Sequence, residues 1–253
     1  MLVTGAAQRI GREIALELAR HGFDVAVHYR DSADAARATV AYAQALGAQA
    51  WALECDLADE AQCRALVPRV VAQCGRLDAV VNNASRFEYD DVAGFTFAAW
   101  EAHARTNTGA PIVLARALHA HLAERDASGC TVNLLDQKLW NPNPDHLSYT
   151  LSKAALEAAT TLLAQALAPR LRVCGVAPGV TLPSGPMTAD EFERAKTLTP
   201  LARSSAPHDI ARAVRFMIES PAITGSTLLV DGGQHLQAQS RDVLFLAQRQ
   251  PGA

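Results

Sequence analysis

The first eleven residues set the strongest constraint on what this chain can fold into. Leu2-Val3-Thr4-Gly5 reads as the end of a buried strand, and Gly5-Ala6-Ala7-Gln8-Arg9-Ile10-Gly11 as a glycine-marked turn. A helix follows, with Ile10, Ile14, Ala15 and Leu18 on one face and Gly22 as its stop. A strand that runs through a tight turn into a helix brings free N–H groups and the positive end of the helix dipole to one point, where an anion such as phosphate is held. The glycine spacing is the loose T-G-x-x-x-x-x-G form, not the strict G-x-G-x-x-G.

That unit opens a regular series. Strands are predicted over Phe23–Tyr29, Ala48–Glu54, Leu77–Val81, Cys130–Leu135, Arg172–Val176 and Ser226–Val230. Helices are predicted over Ser32–Leu46, Asp59–Cys74, a long stretch from about Thr96 to Leu122, Ser148–Leu167 and Pro207–Glu219. Leu77–Val81 is apolar almost throughout, as a strand covered on both faces must be. Strict alternation of strand and helix predicts an α/β fold, a single-domain doubly wound parallel sheet with helices on both faces, over residues 1–253. The chain has 253 residues, 49% hydrophobic and 19% charged, which is enough to bury one full core. The segment 181–199, with Pro183, Gly185 and Pro186 ahead of a short polar helix, reads as a lid; residues 234–253 read as a polar tail, frayed or in an oligomer contact.

Composition removes several classes of function. A net charge of −3 gives no basic footprint for nucleic acid. Cys55, Cys63, Cys74, Cys130 and Cys174 are scattered without metal spacing, as expected of reduced thiols in a cytoplasmic protein, and no metal is expected. No apolar run reaches the ~20 residues needed to span a bilayer. The turn begins so early that no signal peptide is expected. The first strand is short for its place, so it is either truncated or preceded by more chain.

Tyr149-Thr150-Leu151-Ser152-Lys153 carries the chemistry. Tyr149 and Lys153, four apart on a helix, lie on one face. An ammonium there favours the phenolate, so the tyrosine pKa is expected to fall from about 10 toward neutrality, where a phenol can give or take a proton.

Thr4-Gly5 with Gly11, Asn82-Asn83-Ala84, Asn107, Tyr149 with Lys153, and Pro178-Gly179 stand in the order typical of short-chain dehydrogenases/reductases, and this resemblance runs from Leu2 to about Gly233. Within that family the chain looks most like the pteridine reductases: Thr4-Gly5-Ala6-Ala7-Gln8-Arg9-Ile10-Gly11 is similar to their T-G-A-A-K-R-x-G, and His28-Tyr29, Asn82-Asn83-Ala84-Ser85, Phe87 and Tyr149-Thr150 also match. The resemblance implies a homotetramer assembled through the Thr96–Leu122 and Ser148–Leu167 helices. It implies Tyr149 as proton donor or acceptor, Lys153 on the nicotinamide ribose, and Asn107 on a backbone group and a water linked to Lys153. Asp56 and Leu57 fall where the family meets adenine. Asn82 falls where it steadies the adenosine region. Asn83, Ala84, Ser85, Pro178, Gly179 and Thr181 fall along the rest of the cofactor.

The second strand ends His28-Tyr29-Arg30, with no acid for a ribose 2′-OH. Arg9, Arg30 and Ser32 can instead meet a 2′-phosphate, which favours NADP(H); the alternative is that both arginines are ordinary surface charges. Asp31 departs from the basic residue of pteridine reductases.

The family's serine thirteen residues before the tyrosine is Asp136 here, since 149 − 136 = 13. A hydroxyl donates to a carbonyl oxygen, whereas an ionised carboxylate only accepts. It would repel a developing oxyanion and stabilise a protonated ring nitrogen. Pteridine reductases also carry an aspartate there. The expected activity is therefore hydride transfer from NADPH to a C=N bond of a pterin or dihydrofolate-like substrate. Phe87 would stack on the ring, Ser85 would bond its edge, and Trp140 would line the mouth of the pocket or pack internally. The alternatives are a reductase of a ketone or 3-oxoacyl thioester, and a dinucleotide-binding protein without turnover.

Overall fold

The computed structural model describes residues 1–183 and 187–248. Gly185 and Pro186 of the expected lid, and the last five residues of the tail, lie outside them. Strands β1 (Leu2–Val3), β2 (Val25–Tyr29), β3 (Ala50–Glu54), β4 (Ala79–Asn82), β5 (Gly129–Leu134), β6 (Leu171–Pro178) and β7 (Thr227–Val230) form one sheet in the order β3-β2-β1-β4-β5-β6-β7. Each neighbouring pair is parallel. The chain winds outward from β1 through β2 to β3, then returns to place β4 on the other side of β1. The order reverses there, and a crevice opens at the carboxyl ends of β1 and β4.

Strand side chains alternate between two apolar layers. Val3, Val25, Val27, Val81, Val132 and Val176 pack beneath α1 (Arg9–Arg20), α2 (Ala33–Ala45) and α8 (Pro207–Glu219). Leu2, Ala26, Val80, Leu171 and Val173 face the opposite way, against α3 (Glu60–Cys74), α5 (Ala110–Glu124) and α6 (Leu147–Leu167). This is the predicted α/β fold.

Two elements differ from expectation in ways that shape the site. The long helix predicted from Thr96 is broken into α4 (Phe97–Ala104), a π-turn over Arg105–Gly109, and α5. The extra residue of the π-turn turns Asn107 inward to a buried position, 1% exposed, and such bulges often mark functional positions. The tail beyond Gly233 is not frayed over its described part. Val243, Leu244 and Ala247 of α9 (Val243–Gln248) form a small apolar cluster with Met187 and with Ala195 of α7 (Ala189–Thr197). The Val243-Leu244-Phe245-Leu246 run inside an otherwise polar tail supplies that face.

Candidate active site

The glycine turn is held from three sides. Gly5 has φ +61°, a conformation that favours glycine, and its N–H donates to His28 Nδ1 at 3.0 Å. His28 Nε2 lies 3.0 Å from the Cys55 carbonyl, so it carries the ring hydrogen, and burial pushes the His28 pKa down to about 4. The histidine is thus a neutral brace of fixed tautomer. Asn83 closes the other side: its N–H donates to Thr4 Oγ1 at 2.9 Å, and its amide to the carbonyls of Thr4 and Gly5 at 2.9 and 3.1 Å. A Cβ on Gly11 would stand 2.3 Å from the Gly5 carbonyl, so helix and turn approach as closely as backbones can.

The first turn of α1 has neither a side-chain cap nor an acidic residue, which leaves its N–H groups turned to a cleft of about 1040 Å³. Gln8, Arg9, Ile10, Gly11, Arg30, Ser32, Asp56, Leu57, Asn83, Ala84, Ser85 and Phe87 line that cleft, and it reaches Asp136 and Tyr149. The cradle is shaped for a phosphate, and the cleft has the size and length for a dinucleotide. Arg9 donates to the Pro183 carbonyl at 2.9 Å, and Arg30 pairs with Asp31 at 2.6 Å on the exposed rim.

The far end of the cleft meets a second, smaller cavity of about 220 Å³. Tyr149 Oη donates to Asp136 Oδ2 at 2.8 Å where the two join, and Asp136 Oδ1 accepts the Lys138 N–H at 2.9 Å. Burial, opposed by these hydrogen bonds, pushes the Asp136 carboxyl above its usual range. Lys153 Nζ donates to the Leu134 carbonyl at 2.6 Å, and burial lowers the lysine from 10.5 to about 8. Asn107 ties three segments together: its amide donates to the Arg86 carbonyl and to Ser152 Oγ, both at 2.9 Å, and its Oδ1 accepts the Arg86 N–H at 2.8 Å. Pro178, Gly179 and Thr181 line the smaller cavity beside Lys153.

Residues 5–235 match the family model described as enoyl-(acyl carrier protein) reductase. The chain belongs to the short-chain dehydrogenase/reductase family. A 3-oxoacyl-[acyl-carrier-protein] reductase of Staphylococcus aureus is 36% identical over 93% of this chain and 97% of its own length. The solved structure of FolM alternative dihydrofolate reductase 1 from Brucella suis, in complex with NADP, is 41% identical, with a TM-score of 0.90 over 95% of this chain and 96% of that one. A short-chain dehydrogenase from Burkholderia cenocepacia, also in complex with NADP, is 34% identical with a TM-score of 0.84 over 92% and 96%.

Within this short-chain dehydrogenase/reductase, several expectations need correction. The Tyr149 pKa is not lowered. Burial, then the charge and hydrogen bond of Asp136, push it well above 10, while Lys153 Nζ sits 5.8 Å from the ring centroid and donates to the Leu134 carbonyl. The spacing put both side chains on one face, but not the ammonium at the phenol oxygen. Asn83 braces the glycine turn, while Asn82, expected to steady the adenosine region, turns into the sheet to donate to Asn133 at 2.8 Å, since successive strand residues point to opposite faces. Thr4 is 1% exposed and acts on the cleft indirectly, its Oγ1 accepting the N–H groups of Asn83 and Ala84. Asn107 bonds the backbone of Arg86, as expected, and its amide also donates to Ser152 Oγ. Trp140 is 40% exposed and lies off the walls of both cavities, because the short 3₁₀ turn over Gln137–Trp140 presents Gln137 and Lys138 instead.

Phe87 does stand at the junction, with its edge contact to Tyr149 at 4.7 Å, but one of its faces is stacked on His146 at 4.3 Å. The sequence reading missed the wall formed by the C-terminal segment. Arg241 reaches Asp145 at 2.8 Å, Asp242 approaches Lys138 at 3.4 Å, and Val243 and Leu244 border the smaller cavity. Its signal in the sequence is the charged pair Arg241-Asp242 running into the apolar Val243-Leu244-Phe245-Leu246. Among the described residues no helix is long and apolar enough to cross a membrane.

Proposed function

We propose that this chain is an NADPH-dependent reductase that delivers hydride to a C=N bond of a pterin or dihydrofolate-like substrate. The observation that carries the reading is the 2.8 Å hydrogen bond from Tyr149 to Asp136 at the junction of the two cavities. When bound along the larger cleft, a reduced nicotinamide supplies the hydride.

The chain's own residues do the rest. The turn from Gly5 to Gly11 would hold the phosphates, Asp56 and Leu57 the adenine end, Arg9, Arg30 and Ser32 the 2′-phosphate, and Lys153, Pro178, Gly179 and Thr181 the nicotinamide end. Tyr149 holds the proton to be delivered, and its raised pKa keeps that proton in place at neutral pH. Asp136 accepts from Tyr149 and orients the substrate nitrogen, whose developing positive charge a carboxylate favours. At a carbonyl the same carboxylate would oppose the developing oxyanion. Lys153 places a buried positive charge behind the tyrosine. Asn107 fixes the Ser85–Arg86 loop against α6, so Phe87 and Tyr149 keep their spacing. A cavity of about 220 Å³ suits a compact ring rather than a long acyl chain.

The second reading is reduction of a 3-oxoacyl thioester on the same machinery. It is favoured by the Staphylococcus aureus relative and disfavoured by Asp136. The test is NADPH oxidation with dihydrobiopterin and dihydrofolate beside a ketone and an acetoacetyl thioester. Turnover of the pterins supports the proposal; turnover of the carbonyl compounds alone overturns it. We further propose a cytoplasmic homotetramer built on the faces carrying exposed Phe97 and Leu162.

A further inference from the structure

The smaller cavity contains a histidine that its own fold does not satisfy. His146 is 4% exposed and lines the cavity. Its Nδ1 lies 3.3 Å from the Glu88 carbonyl, which can only accept, so Nδ1 carries the hydrogen and Nε2 presents a lone pair. That Nε2 is buried and has no hydrogen-bond partner among the described residues. Burial lowers the ring's pKa, with Lys138 adding to this and Asp242, Asp145 and the Glu88 carbonyl opposing it, so the imidazole is neutral at pH 7. The backbone adds a second cost: His146 has φ +53° and ψ +53°, the left-handed region that a histidine enters at a penalty. An unpaired buried nitrogen on a strained residue, stacked against Phe87 and three positions before Tyr149, is the kind of cost that persists at sites where a ligand relieves it.

The rest of the cavity points to what that ligand must offer. Gln137 Oε1, also on its wall, is a second buried acceptor without a partner among the described residues. Asp136 and Asp242 contribute carboxylates. Each of the three cationic side chains on the wall, Arg9, Lys138 and Lys153, already spends one hydrogen bond on a carbonyl, that of Pro183, Asp145 and Leu134 respectively. The unpartnered buried atoms on this wall, His146 Nε2 and Gln137 Oε1, are both acceptors, and their complement is an edge that presents N–H groups.

We propose that His146 is a specificity residue of the substrate cavity, its Nε2 accepting a hydrogen bond from an amino or ring N–H of a compact nitrogen heterocycle, with Gln137 Oε1 as a second acceptor for the same edge. This rests on the reductase reading above and assigns two residues that reading does not use. An acyl thioester has no such donor at its reacting end and would leave both acceptors unpaired.

The test is steady-state reduction of dihydrobiopterin by NADPH in the wild type, His146→Phe, His146→Asn and Gln137→Met. Phenylalanine keeps the stack and removes the lone pair; asparagine tolerates the left-handed backbone and restores an acceptor. His146→Phe should raise KM about tenfold, with most of the loss in KM rather than kcat, and an unchanged Kd for NADPH. His146→Asn should recover part of that loss. Should His146→Phe fail to fold, Gln137→Met carries the same expectation. Wild-type turnover with KM in the folded variants within twofold of wild type overturns this inference and leaves the reductase reading standing. Absence of any pterin turnover in the wild type overturns both.

Discussion

Lys153→Met is expected to make the cofactor-free protein more stable at neutral pH while abolishing turnover. Lys153 is 3% exposed, and among the described residues its ammonium has one hydrogen-bond partner, the Leu134 carbonyl. Burial brings its pKa from 10.5 to about 8. At about 1.4 kcal/mol per pH unit, that drop corresponds to a penalty of about 3 kcal/mol for keeping the side chain charged in the folded state. Because the folded pKa is depressed, the unfolded chain holds more protons between pH 8 and 10.5, and stability rises with pH in that window. The penalty is full below about pH 8 and falls below about 1 kcal/mol by about pH 10. Methionine removes it altogether but leaves the Leu134 carbonyl without its partner, a loss of about 1 kcal/mol. The net gain at pH 7 is therefore about 2 kcal/mol, shrinking to nothing or reversing at about pH 10. Urea unfolding of both proteins at the two pH values reads this directly, since all other titrating groups are shared. A stability difference that does not change between the two pH values would refute the buried, charge-penalised lysine.

Tyr149→Phe should lower the hydride-transfer rate by at least about a hundredfold while NADPH binding persists; single-turnover kinetics with a Kd titration measures both, and near-normal turnover would remove Tyr149 from its role. Gly11→Ala should abolish cofactor binding and lower stability by about 1–3 kcal/mol, because its methyl would meet the Gly5 carbonyl at 2.3 Å; a titration and a melting curve report the two losses, and an unimpaired variant would mean the turn is looser than described. Arg241→Ala releases the Asp145 clamp on the C-terminal wall, whose residues line the small cavity and not the larger cleft. KM for the pterin should therefore rise several-fold at constant NADPH affinity, with faster hydrogen exchange over 239–248.

The parts legible in the sequence are those that depend on local pattern. Apolar runs and 3.6-residue periodicity place every strand of the sheet within a few residues. The loose glycine spacing locates the anion cradle because a close backbone approach demands glycine at position 11. Asp136 is legible as chemistry, since a carboxylate in place of a hydroxyl changes what the site can stabilise. What stayed hidden needed three-dimensional neighbours. The direction of the Tyr149 shift depends on burial and on where the Lys153 ammonium spends its hydrogen bond, and helical spacing encodes neither. The π-turn at Asn107 arises from packing of α4 and α5 on α6. The role of His28 requires β2 to lie beside β1, and the C-terminal wall requires 96 residues of separation between Arg241 and Asp145 to close.

In the proposed reaction Asp136 selects a ring nitrogen over a carbonyl oxygen. The most direct measurement is the ratio of kcat/KM for dihydrobiopterin to that for an acetoacetyl thioester, in the wild type and in Asp136→Ser. The account predicts a wild-type ratio well above one that falls by at least about tenfold in the variant, as the donor hydroxyl begins to serve the carbonyl and the nitrogen loses its counter-charge. A ratio that is the same in both proteins would contradict it.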